Sequence, residues 1–115
     1  MTLNAFVLDW TMDQYEQLKD ELAGAQFVFE PEGETNHIRV AVPFEQVGAF
    51  AELCQKHLNR AVNYVDIQYP DQKTTVIIFQ AATHFITNSE ENEKVKTWAI
   101  QMGLPPEQAD WGTSF

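Results

Sequence analysis

The sequence predicts an α+β domain: an antiparallel sheet with helices mainly on one face, built in the split order βαββαβ and extended by a fifth strand and a C-terminal helix. Three observations carry this. Two pairs of apolar runs face each other across short polar turns, three other stretches repeat apolar residues at helical spacing, and caps or stops bracket most of them. With 115 residues, 44% hydrophobic and 12% aromatic, the chain can bury one core without staples. Residues 1–115 therefore read as a single domain, with 104–115 as a docked tail.

Residues 4–10, NAFVLDW, are a mostly apolar run of strand length, which suits a central strand. Residues 11–24 predict the first helix, with Thr11 and Gln14 as a capping box, a Trp10–Tyr15 staple, Tyr15, Leu18 and Leu22 on one stripe, and Gly24 as the stop. QFVFE and HIRVAV then alternate about the polar turn PEGETN, which places Phe27 and Phe29 on one side of the first and Ile38, Val40 and Val42 on one side of the second. Pro43 is expected to open the second helix, FEQVGAFAELCQKHLN, on whose stripe lie Val47, Phe50, Ala51, Cys54 and Leu58. A second hairpin joins NYVDIQY to TTVIIFQ through PDQK. The last helix has Asn88 as cap with Glu91 three residues on, Val95, Trp98, Ala99 and Met102 as its stripe, and Gly103 as its stop. Beyond it Pro105 and Pro106 restrict the backbone and lead to Trp111 and Phe115, two apolar anchors expected to cover the groove beside that helix or to cross a dimer interface.

This order resembles that of small ferredoxin-like domains, which include regulatory ligand-binding modules, dimeric monooxygenase-like barrels and pure interaction domains. The resemblance implies architecture alone, because no motif selects among them. In such a sheet the first and third strands are central, and one face has no helices of its own. Alternation assigns Val28, Glu30, His37, Arg39, Ala41, Tyr64, Asp66 and Gln68 to that face. Five of them, His37, Arg39, Tyr64, Asp66 and Gln68, are candidate ligand-binding residues, since an imidazole, a guanidinium, a phenol and a carboxylate together can grip a polar ligand. The two strands that carry them should lie roughly 10 Å apart, which suits a bound small molecule better than a hydrogen-bonded dyad.

Composition narrows the classes of function. The formal net charge is −10, and residues 1–36 hold eight acids against the single base Lys19. Such a surface opposes nucleic acid and anionic membranes and suits a basic protein partner. The N-terminal stretch lacks a basic region and carries Asp9, so it reads as a strand and not a signal peptide. The lone Cys54 sits on an apolar stripe, where a thiol serves as a small buried hydrophobe, and a cytoplasmic location is expected. His37, His57 and His84 are too scattered for a metal site, and the acidic turn Glu30, Glu32, Glu34 lacks a calcium-loop pattern. His57 is explained by the dipole at the end of its helix, and His84 is expected in a half-buried connector. No metal, cofactor or catalytic residue is expected. The expected function is a non-enzymatic binding or regulatory module that works through protein–protein contacts, with a second copy or a basic protein as partner. A cofactor-free small-molecule protein of the dimeric ferredoxin-like kind is one alternative; an acidic inhibitor that blocks a basic partner is another.

Overall fold

Strand-forming alternation builds six strands in the computed structural model, which describes residues 1–34, 36–71, 73–109 and 111. These are β1 Thr2–Val7, β2 Val28–Pro31, β3 Ile38–Pro43, β4 Tyr64–Gln68, β5 Thr75–Phe79 and β6 Thr83–Ile86. Three helices accompany them: α1 Tyr15–Gly24, α2 Val47–His57 and α3 Ser89–Gln101. The sheet runs β2-β3-β1-β4-β5-β6 with every neighbouring pair antiparallel. The fold is thus α+β, but the sheet as a whole departs from the expected ferredoxin-like core with a single added strand. Two strands lie beyond β4. The unforeseen one, β6, has no apolar alternation to betray it; it forms because β5 offers an open ladder edge, which Thr83–Ile86 fills from Thr75↔Ile86 to Ile78↔Thr83.

Each face of the sheet has its own core. On one, Leu3, Ala5, Val7, Val40, Val42, Val65, Ile67, Val76 and Ile78 pack against Leu18 and Leu22 of α1 and Val47, Phe50, Ala51 and Cys54 of α2. Phe27 is buried just before β2 and meets Phe50 edge-on, with ring centroids 5.6 Å apart. On the other, Ile77, Phe79 and Ile86 pack against Ala99 of α3 and against Leu104, Ala109 and Trp111 of the tail. β5 is consequently buried along its whole length. This second layer corrects the expectation of a face without helices, because α3 and the tail cover the β4–β6 half of it.

Local signals decided most element ends, and tertiary contacts moved the others. Asn88 Oδ1 accepts the Glu91 N–H at 2.9 Å, as a capping residue does. Gly103, at φ +114, lets the Leu104 and Gly103 N–H groups reach back to Ala99 O (2.9 Å) and Ile100 O (3.1 Å), the paired bonds of a Schellman stop. Thr11, in contrast, caps nothing: its hydroxyl donates to Leu8 O at 2.6 Å inside the 3₁₀ turn Asp9–Thr11, and Gln14 stands before α1 in a left-handed conformation. Trp10 is 51% exposed, so it forms no buried staple. Pro43 closes β3 instead of opening α2, which begins after a 3₁₀ turn at Phe44–Gln46. On α3, Asn92 and Ala99 are the buried positions, whereas Trp98 and Met102 of the expected stripe are exposed.

Candidate functional site

The cross-strand registers align the second face in two rows. One reads Glu30, Arg39, Phe6, Asp66, Ile77, His84; the other reads Val28, Ala41, Asn4, Gln68, Thr75, Ile86. Ile77, His84 and Ile86 at the ends of these rows lie beside or beneath α3 and its aromatic cluster, where Phe79 packs on Trp98 at 4.9 Å and on His84 at 5.8 Å. The β2-β3-β1 half has no such cover. There Asn4, Val28, Phe29, Glu30, Arg39 and Ala41 border a groove of about 230 Å³. Val28 is 72% exposed at its edge, Ala41 in its lining is half-buried, and Phe6, paired with Arg39 on the neighbouring strand, is half-buried too.

Of the five sequence-predicted binding residues, Arg39, Tyr64, Asp66 and Gln68 share this face and His37 lies just before β3, and different partners hold them. Arg39 pairs with Glu30 directly across the strand and lies 3.9 Å from Glu32. His37 Nδ1 is 3.4 Å from both the Asp9 N–H and the Asp9 carboxylate, where β1 leaves the sheet. Gln68 Nε2 donates to Asp66 Oδ2 at 2.8 Å and lies 3.4 Å from Thr75 Oγ1, a polar ladder along β4 and β5. Tyr64 lies under the tail, its hydroxyl donating to Gln108 O at 2.6 Å and its ring meeting Trp111 edge-on at 5.1 Å. Phe6 stands between Arg39 and Asp66 in the row. Asn4 and Phe6 were missed in the sequence because residues 4–10 read as buried on both sides. Polar Asn4 was the available signal.

The tail reaches its own domain. Trp111 is 4% exposed, donates from Nε1 to Asn92 Oδ1 at 2.7 Å, and carries the Lys96 ammonium 5.6 Å above its ring. The second expected anchor, Phe115, lies outside the described residues.

Electrostatics elsewhere are local. Burial, with Asp9 and then Glu16 nearby, pushes the Tyr15 hydroxyl up to about 12, and that hydroxyl donates to Asn36 O. Burial likewise raises the Cys54 thiol, which keeps it protonated and a poor nucleophile. Tyr69 is raised by burial and by Asp71. Among the described residues no group of three or more His, Cys, Asp or Glu side chains converges to hold a metal ion, and no helix is long and apolar enough to cross a membrane. Comparison with protein-family models, with curated proteins and with solved structures gives no significant match for the chain.

Proposed function

We propose that this protein is a non-enzymatic binding module that receives a basic protein partner on the uncovered β2-β3-β1 half of its second sheet face. The single observation behind this is the asymmetry of that face: one half is sealed by α3 and the tail, while the other leaves Val28, Ala41 and Phe6 accessible beside Glu30 and Arg39. The finer architecture belongs with it: β1 to β4 with α1 and α2 act as a ferredoxin-like split βαβ unit, to which β5, β6 and α3 add the second layer. Neighbours β2-β3-β1-β4, all antiparallel, support that view.

Charge complementarity selects the partner. Two copies that each carry −10 repel, whereas Lys and Arg around a small apolar patch would complement both Val28 and the carboxylates Glu30, Glu32 and Glu34 of the adjoining hairpin. Area sets the strength. Three strands about 4.8 Å apart and about 20 Å long give roughly 300 Å² in projection, below the roughly 800 Å² per partner of a standard interface. The complex is therefore transient and salt-sensitive, and the setting that fits a lone buried thiol is the reducing cytoplasm. The small-molecule alternative built on His37, Arg39, Tyr64 and Asp66 has less support, because their side chains are engaged separately.

The test is parallel affinity capture from native cells with the wild type and Val28→Lys, at low and moderate salt. A basic protein retained by the wild type, released by salt and lost in Val28→Lys is the expected result. Capture that Val28→Lys leaves intact, or a dimer by light scattering that Val28→Lys dissociates, would overturn the proposal.

A further inference from the structure

A second concavity opens where the tail crosses the sheet end, remote from the β2 edge and independent of the proposal above. It encloses about 160 Å³ between the exit of β1, the entry of β4 and the tail. Its inner wall is apolar and closed: Val62 and Leu104 are buried, and Leu8 is half-buried. The tail is held over it by the Tyr64 hydroxyl bond to Gln108 O. At its mouth stands Trp10, half of whose surface faces solvent although it lines an apolar cleft.

We propose that this cleft binds a small uncharged ring-shaped molecule that carries one hydroxyl or N–H donor. Size decides the ring: an apolar cavity of about 150 Å³ holds one benzene-sized group. Trp10 then supplies an aromatic surface that the ligand removes from water, and such ring pairs add to simple burial. The polar groups set the ligand's chemistry. The Thr11 hydroxyl is committed to Leu8 O, and the Asn63 amide donates to Asn59 Oδ1 at 2.5 Å. Among the lining residues, Asn63 and Glu107 bring side-chain oxygens that can accept from a ligand, and the Gln108 carboxamide can accept as well as donate. A donor on the ligand is matched by these oxygens. An anion is opposed by Glu107 and by the net charge of −10.

The probes are phenol and benzoate, titrated into the full chain while amide and indole N–H signals are followed by NMR. Phenol is expected to give saturable shifts confined to Trp10, Asn63, Tyr64 and Gln108, with benzoate weaker by roughly tenfold or more. Trp10→Ala, at an exposed position that folding tolerates, should weaken phenol by about tenfold. Gln108→Phe, which fills the cleft from the tail side, should abolish the shifts; if that variant fails to fold, Trp10→Ala alone decides. Shifts that do not saturate or that spread over the surface would overturn the site, as would phenol affinity unchanged in Trp10→Ala. Benzoate binding as tightly as phenol would overturn the ligand class.

Discussion

Glu21 reaches from α1 to α2 and uses both carboxylate oxygens there: Oε2 lies 2.8 Å from Lys56 Nζ, and Oε1 lies 2.9 Å from Nε2 of the buried His57. The other ring nitrogen of His57 lies 3.0 Å from Asp13 O, and Asp13 N–H donates to His57 O at 2.7 Å, so the group stitches the start of α1 to the end of α2. Lys56 first and His57 second hold the Glu21 carboxyl below its usual range, against a smaller opposing effect of desolvation. A folded-state value below the unfolded one gives stability that is present above the ordinary carboxylate range and is lost as pH falls through the depressed value. Glu21→Gln should therefore be less stable than the wild type at pH ~7, and the gap should shrink on acidification to pH ~3. Urea midpoints of both proteins at the two pH values measure this. A gap that stays constant would show that ionised Glu21 contributes nothing.

At the scale of elements, α3 and the tail behave as one unit. The Schellman stop turns the chain back, Pro105 leads into the 3₁₀ turn Pro106–Gln108, and the result sets Trp111 on Asn92, one of the buried positions of α3. Helix and tail thus complete each other. Trp111→Ala removes a large buried ring and leaves Asn92 Oδ1 without its donor. The expected loss is about 3 kcal/mol, at the low end for such a truncation because the tail can undock locally. Trp111→Phe keeps most of the ring and should cost about 1–2 kcal/mol through the orphaned acceptor. Chemical denaturation of the three proteins gives the values. If Trp111→Ala fell within about 0.5 kcal/mol of the wild type, tail docking would add nothing to stability.

For the whole molecule, charge and size act together. The Cα radius of gyration is 13.4 Å. At about 0.01 M salt the screening length is roughly 30 Å, so carboxylates on opposite sides repel; at about 0.1 M it shrinks to roughly 10 Å. Salt also weakens favourable pairs such as Lys19–Glu16, Lys56–Glu21 and Lys94–Glu90. With 17 acids against seven Lys and Arg, repulsion outnumbers attraction. The urea midpoint should therefore rise modestly between about 0.01 and 0.2 M sodium chloride. An unchanged or lower midpoint would mean that specific ion pairs outweigh the general field.

What the sequence determined by itself is much of what depends on near neighbours in the chain, although the Thr11 capping box and the Pro43 helix start, equally local, gave way to tertiary contacts. The alternation of Ile38, Val40 and Val42, the stripe Val47, Phe50, Ala51 and Cys54, the Asn88 cap and the Gly103 stop each report a periodicity or a backbone need confined to a few residues, and the structure realises them. Tertiary structure alone decided which amphipathic surfaces were covered. Thr83–Ile86 became a strand through the open edge of β5, and Trp111 docked on the buried Asn92 of α3, while Trp98 met Phe79 from the margin of the core and Met102 stayed exposed. The same choice divided the candidate face: it drew Tyr64 under the tail, left Arg39 with Glu30, and kept the groove beside Val28 open. The physical reason is that burial rewards any apolar surface equally, so local pattern marks what can be buried, and only long-range contacts select what is.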